Sequence, residues 1–141
     1  MRFMIFRMAD DQTEAGVMPT AQLLCDMQNY IGEMAAAGVL IDGDGLKPSS
    51  NSKRIKFTGG KPEIIDGPFA ETKELVAGYL LIKVESEAEA IEWLKRWPAL
   101  DANGNVQLEM RPLFEPPDFG DEFTPELREE DAKLRAGLTN N

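Results

Sequence analysis

Four ionisable side chains lie within one nine-residue stretch that contains a turn signal, Asp66-Gly67-Pro68-Phe69-Ala70-Glu71-Thr72-Lys73-Glu74. Its four ionisable residues could accept or donate protons if a rigid turn held them beside a bound molecule. Asp66 also precedes Gly67 and Pro68, and an aspartate in that position favours a tight turn through its own hydrogen bond to the backbone. The stretch therefore predicts either a general base at Asp66 or a structural turn held by the same carboxylate.

The chain contains no histidine, which is the usual proton-transferring side chain near neutral pH. Any acid–base step would fall to a carboxylate, a lysine or a tyrosine whose pKa is shifted by burial or by a neighbouring charge. The segment Asp42-Gly43-Asp44-Gly45, interpreted as a loop, begins like a calcium loop. However, Leu46 stands where a third ligand belongs, and Lys53 stands where the final glutamate belongs. We expect no metal and no cofactor.

The charge balance argues against nucleic acid as a partner. The chain has 25 acidic and 15 basic side chains and a net charge of -10 at pH 7. Such a surface repels a polyanion at long range, so direct nucleic-acid binding is not expected. No apolar run approaches the about 20 residues of a membrane helix, and the first residues lack a signal-peptide cleavage pattern. We expect a cytoplasmic protein that does not enter a membrane.

Hydrophobic periodicity predicts an α+β fold. The elements, in chain order, are a strand at 1–8, a helix from Pro19 to Gly38, a hairpin at 53–65 with a Gly59-Gly60 turn, a strand at 78–85, a helix from Ser86 to Trp97 and a strand at 106–111. This order is typical of a ferredoxin-like antiparallel sheet with two helices on one face.

The composition changes after Pro112, where prolines, acids and spaced aromatic rings replace the alternating pattern. We predict an extended arm, residues 114–141, that ends in a short helix from Thr124 to about Ala136. Glu129/Lys133 and Asp131/Arg135 are spaced for i,i+4 ion pairs on that helix. The predicted organisation is a ferredoxin-like domain at 1–113 and the arm at 114–141.

The second face of the sheet has an unusual composition. If the helices cover the face with Met4, Phe6 and Leu80, alternation places nine residues on the other face: Phe3, Ile5, Arg7, Tyr79, Leu81, Lys83, Gln107, Glu109 and Arg111. Its apolar part needs a cover, and the same face of a second copy would supply one. We therefore predict a homodimer.

The polar part of that face suggests a cleft for a small anionic ligand. Four residues would surround it: Arg7, Arg54, Tyr79 and Lys83. The alternative is that the cations only pair across strands with Glu109 and Glu85.

The nine-residue motif, followed by Gly78-Tyr79 and an aliphatic strand, resembles the signature of the DGPF branch of the YCII-related proteins. Gly45-Leu46-x-Pro48 upstream and a helix ending at Trp97-Pro98 agree with the resemblance, which covers about residues 1–113. It implies a dimeric α/β barrel. It also implies Asp66, Gly67, Pro68 and Phe69 as motif residues.

The YCII-related proteins are similar to muconolactone isomerase-type enzymes, and some YCII-related proteins are thought to use a His–Asp pair in the cleft. A chain without histidine cannot form that pair, so whether this chain is an enzyme stays open, with Asp66 as its candidate catalytic residue. One hypothesis is a cofactor-free isomerase or lyase. The alternative is a non-catalytic binding or regulatory module, in keeping with the association of some DGPF proteins with sigma factors.

Overall fold

The structure is a computed structural model and describes residues 1–139. Its helices and strands, in chain order, are β1 Arg2–Met8, α1 Asp11–Glu14, α2 Ala21–Ala36, β2 Leu40–Gly45, β3 Lys53–Thr58, β4 Lys61–Asp66, β5 Val76–Lys83, α3 Glu87–Leu94, β6 Leu108–Pro112 and α4 Pro125–Leu138. Short 3₁₀ turns join several of them. The last two residues of the predicted arm, 140–141, lie outside the described residues.

Four strands form one antiparallel sheet in the order β2-β5-β1-β6. Both longer helices before the arm, α2 and α3, contribute side chains to the core on one face of this sheet. This order, with two helices on one face, is that of a ferredoxin-like fold, so the predicted α+β class is confirmed. β3 and β4 form a separate two-stranded hairpin inserted between β2 and β5.

The core lies between the sheet and the two helices, and it includes the odd-numbered side of β1. Phe3 pairs with Ile82 and Ile5 pairs with Leu80 across the strands, and all four side chains are buried. Our assignment of Phe3, Ile5 and Arg7 to the second face was therefore wrong. β1 has one arginine on each side, Arg2 on one and Arg7 on the other, and is otherwise apolar on both, so its alternation does not distinguish core from surface.

β2 corrects a second prediction. Residues Asp42–Gly45, which we interpreted as a loop, lie in this edge strand and pair with β5 through Gly45–Gly78, Asp44–Tyr79 and Asp42–Leu81. A Cβ at position 43 would stand 2.5 Å from a methyl group of Leu80 and 2.9 Å from the Tyr79 carbonyl oxygen. The glycine is therefore needed for close strand contact rather than for a loop.

The predicted hairpin is confirmed, with Ile55 opposite Ile64 and Phe57 opposite Pro62. Gly59 and Gly60 both have positive φ, as a two-residue turn of this kind requires. Every residue of both strands is exposed. The hairpin therefore projects from the domain instead of packing on its core.

The arm begins where β6 ends. Arg2 binds Glu115 through two hydrogen bonds of 3.0 and 3.1 Å, which hold the first part of the arm beside the start of β1. The helix predicted within the arm is α4, and both of its predicted i,i+4 ion pairs are present. Within residues 1–139, no helix is both long and apolar enough to cross a membrane.

Candidate functional site

The sheet face opposite α2 and α3 is the best candidate for a ligand surface, and we call it the open face. Cross-strand pairing places ten side chains on it: Arg2, Met4, Phe6, Asp42, Asp44, Tyr79, Leu81, Lys83, Glu109 and Arg111. Its apolar members are half-buried, while its charged members other than the half-buried Arg2 are exposed. The register confirms the predicted face for Tyr79, Leu81, Lys83, Glu109 and Arg111.

The charges of the open face are separated by sign along the strands. At the end where the arm begins, Lys83 pairs with Arg2. At the other end, Tyr79 and Phe6 lie in one row between Asp44 on β2 and Glu109 on β6. The face therefore has a basic end and an acidic end, and the row between them has Met4 and Leu81 at its centre with Arg111 and Asp42 on the outer strands.

The hydrogen bond between Tyr79 and Asp42 is the contact on the open face that is best suited to acid–base chemistry. The Tyr79 hydroxyl donates to Asp42 Oδ2 at 3.3 Å. The negative charge of Asp42 raises the pKa of Tyr79 above its ordinary value, with smaller contributions from desolvation, this hydrogen bond and Asp44. Tyr79 therefore keeps its proton at neutral pH and can donate a hydrogen bond.

Replacing Asp42 with asparagine is expected to lower the pKa of Tyr79 toward 10, because it removes the charge that opposes tyrosinate formation. The chain has two tyrosines, and burial raises the pKa of the other, Tyr30, to about 12. An ultraviolet pH titration should therefore show the first ionisation step move while the second stays in place. Asp26→Asn on α2 is the matched control. An unmoved first step in a folded Asp42→Asn protein would contradict the contact.

Arg7, which we predicted in the cleft, is buried on the helix-covered side. Its Nη2 and Nε donate to the Asp101 carboxylate at 2.6 and 3.2 Å, and Trp97 Nε1 donates to the same carboxylate at 2.8 Å. Asp10 lies 3.1 Å from Arg7 Nη1. Burial alone would lower the pKa of Arg7, but the hydrogen bonds and charges of Asp101 and Asp10 raise it. Arg7 is a satisfied core cation that does not share a face with Tyr79 and Lys83.

The Asp66–Phe69 turn packs against the loop that precedes the hairpin. The Gly67-Pro68 peptide bond is cis, and the Gly67 N–H donates to the Ser52 carbonyl oxygen at 2.9 Å. The Phe69 N–H donates to Ser49 Oγ at 3.0 Å, and Ser49 in turn donates to Glu14 through its backbone N–H and its hydroxyl. The motif therefore joins two loops through one buried serine.

The structure places Asp66 and Arg54 on the hairpin. The Asp66 side chain is 72% exposed and forms an ion pair with Lys53, while the Arg54 guanidinium stacks over the Phe69 ring at 3.8 Å. Neither contact joins Tyr79, which interacts with Asp42. The catalytic role of Asp66 and the ligand role of Arg54 stay predictions. Asp42 was missed as a site residue because a strand rich in Asp and Gly has the composition of a loop.

In the part of the chain that the structure describes, no three Cys, Asp or Glu side chains are grouped so that they could hold a metal ion. A family model described as the YCII-related domain matches residues 1–113. The chain belongs to the YCII-related domain family. The match spans the ferredoxin-like sheet, the inserted hairpin and the Asp66–Phe69 turn, and it ends one residue after β6. Assignment of this YCII-related protein to the DGPF branch stays a prediction.

Two known proteins resemble this YCII-related chain. An uncharacterised protein from Rhizobium meliloti (strain 1021) is 35% identical over 69 residues, which are 48% of this chain and 54% of that protein. The match thus spans about half the length of the relative. A 5-chloro-2-hydroxyhydroquinone dehydrochlorinase (TftG) from Burkholderia phenoliruptrix AC1100, solved in complex with 2,5-dihydroxybenzoquinone, is 16% identical with a TM-score of 0.35. That likeness covers 82% of this chain and 96% of the other, and it is too distant to carry an argument.

Proposed function

We propose that this YCII-related protein is a cytoplasmic homodimer that binds a small anionic molecule and catalyses a cofactor-free isomerase- or lyase-type reaction. The observation that carries the proposal is the open face, where Met4, Phe6 and Leu81 form an apolar centre between groups of opposite charge. Burying the remaining exposed part of each apolar side chain would contribute about 1 kcal/mol. The same face of a second copy is a fitting cover, and it would complete a dimeric α/β barrel.

The basic end of the open face supports an anionic ligand. Lys83 is exposed there and Arg111 is exposed in the next row, whereas Arg2 is already paired with Glu115. Exposed cations in water contribute little binding free energy to a carboxylate, but this contribution grows when a second sheet excludes solvent. Enclosure by a partner would therefore turn a charged surface into a binding site.

The acidic end supports proton transfer. Asp42, which lies one row from that end and accepts a hydrogen bond from Tyr79, is a carboxylate that could remove a proton from carbon beside a carbonyl group and return it to another position. Tyr79, which stays protonated, could donate a hydrogen bond to the oxygen that gains charge. Such an isomerisation needs neither a metal nor an organic cofactor. Asp66 is the second candidate base, since a partner could also enclose the hairpin.

The test begins with the molar mass from light scattering, where we expect a dimer at micromolar concentration. Aromatic and dicarboxylic acids are then incubated with the protein in deuterium oxide, and carbon-bound deuterium is measured by NMR. We expect exchange at carbon beside a carbonyl group, reduced about 100-fold or more by Asp42→Asn. Asp66→Asn is the matched variant.

Loss of exchange in Asp66→Asn but not in Asp42→Asn would identify Asp66, in the Asp66–Phe69 turn, as the base. A monomeric mass would refute the enclosed cleft, and a dimer that exchanges none of the acids would refute this class of reaction. Circular dichroism of each variant distinguishes a lost reaction from a lost fold.

A further inference from the structure

Two projecting parts of the chain carry opposite charge. The hairpin, residues 53–66, has four basic and two acidic side chains, although the whole chain has a net charge of -10. The arm, residues 114–141, has eight acidic and three basic side chains. The hairpin is thus a local basic region on an acidic protein, and the arm is among its most acidic regions. Each would attract the other at short range.

The hairpin and the arm leave the sheet at opposite ends. The chain leaves β2 for the hairpin just after Gly45, which pairs with Gly78. It leaves β6 for the arm at Pro112, which pairs with Phe3 near the start of β1. Gly78 pairs with Arg7, so the two points are four residues of β1 apart, about 13 Å along the strands at about 3.3 Å per residue, and they lie on the two opposite outer strands. The two elements therefore start far apart within one subunit.

Both elements expose apolar side chains that nothing in residues 1–139 buries. Ile55, Phe57 and Ile64 share one face of the hairpin and are 63–67% exposed. In the arm, Phe114, Leu134 and Leu138 are 71–75% exposed. A two-stranded hairpin is only marginally stable by itself, so the hairpin needs a surface to pack against.

We propose that the hairpin of one subunit docks on the arm of its partner, and the reverse, so that two equal contacts close the homodimer. This inference rests on the proposed homodimer. It requires a two-fold axis that runs across the strands, because only that axis brings the hairpin end of one sheet against the arm end of the other. An axis along the strands would bring hairpin to hairpin and arm to arm.

Charge distinguishes the two arrangements. With the axis along the strands, basic hairpins would meet and acidic arms would meet, and like charges placed together cost free energy. With the axis across the strands, each contact joins opposite charges. The charges of the open face run in the opposite sense, because Lys83 lies at its arm end while Asp44 and Glu109 lie at its hairpin end. The same axis would bring Lys83 of one open face toward Asp44 and Glu109 of the other.

The arm offers a receiving groove. A cavity of about 120 Å³ lies between the aromatic rings of the arm and α4, and its lining includes Phe114, Phe119, Phe123 and the Asp131–Arg135 ion pair. Phe57 is the aromatic residue of the hairpin and stands on its apolar face. A single aromatic side chain on a basic hairpin suits a groove of aromatic rings on an acidic arm.

Thiol crosslinking tests the arrangement in full-length protein. The native cysteine, Cys25, is exposed and is first replaced by serine. Two single-cysteine chains, Ile64→Cys in the hairpin and Leu134→Cys in the arm, are then treated with a short bis-maleimide, alone and after co-expression. We expect a covalent dimer only in the co-expressed sample. Ile91→Cys on α3, co-expressed with Ile64→Cys, is the matched control and should stay uncrosslinked.

The outcomes separate this inference from the homodimer on which it rests. A covalent dimer from Ile64→Cys alone would mean that hairpins meet, and it would overturn the proposed axis. A dimeric mass with no crosslink in any sample would overturn the hairpin–arm contact and leave the homodimer standing. A monomeric mass of the Cys25→Ser protein would refute both.

Discussion

Replacing Asp101 with alanine is expected to lower the free energy of unfolding by about 3–5 kcal/mol, because it leaves a buried guanidinium without its counter-charge. The Asp101 carboxylate accepts two hydrogen bonds from Arg7 and one from Trp97. One substitution thus removes the partner of two side chains. Asp10 and the Met8 carbonyl oxygen still contact Arg7, which favours the lower end of that range. Denaturant unfolding measures the loss.

An exposed ion pair provides the control. Lys95 and Glu92 are in contact at 2.7 Å on the surface of α3, and Glu92→Ala should cost less than about 0.5 kcal/mol. The double variant Arg7→Met with Asp101→Leu should recover most of the stability, because it removes both buried charges together. A loss below about 1 kcal/mol for Asp101→Ala would show that water or Asp10 can solvate Arg7 alone.

Replacing Gly67 with alanine is expected to cost about 3 kcal/mol or more, since the added Cβ would lie 1.7 Å from the Ser49 carbonyl oxygen. The loop cannot withdraw freely, because Ser49 is bound to Glu14 and to the Phe69 N–H. Either the domain loses stability or the turn detaches from the loop. Denaturant unfolding reports the first result, and hydrogen exchange at the Phe69 amide reports the second.

Gly45 is the matched glycine, because no heavy atom lies within 4 Å of a Cβ built there. Gly45→Ala should change stability by less than about 0.5 kcal/mol. If Gly67→Ala behaved like Gly45→Ala and the Phe69 amide stayed protected, the close approach of the turn to Ser49 would be refuted.

Strands with one polar side could be oriented from the sequence, and strands without one could not. β5 alternates Tyr79 and Lys83 with Leu80 and Ile82, so its two faces were assigned correctly. β1 offers Phe3 and Ile5 on one side and methionine and phenylalanine on the other. Which side of β1 faces the core depends on Asp101, which lies 94 positions after Arg7 and neutralises that cation in the core. Local alternation cannot contain such a long-range contact.

The Asp66–Phe69 turn shows the same limit of prediction from local sequence. Its composition predicted a bend at Gly67-Pro68, and a bend is present. Ser49 and Glu14 hold the bend in place. Glu14 belongs to α1, whose four residues are too few to show a helical periodicity in the sequence. The strand β2 was missed for a different reason: two aspartates and two glycines have low strand propensity, and pairing with β5 overrides it.

The composition of β2 also bears on how copies of this protein can avoid aggregating. β2 is an outer strand of the sheet, and such a strand offers unpaired backbone groups to any other strand in solution. Asp42 and Asp44 would bring like charges together if two such strands joined into one continuous sheet, and the glycines weaken any strand that forms there. The two aspartates would thus discourage fibre-like growth through this edge and leave the sheet faces free for ordered assembly.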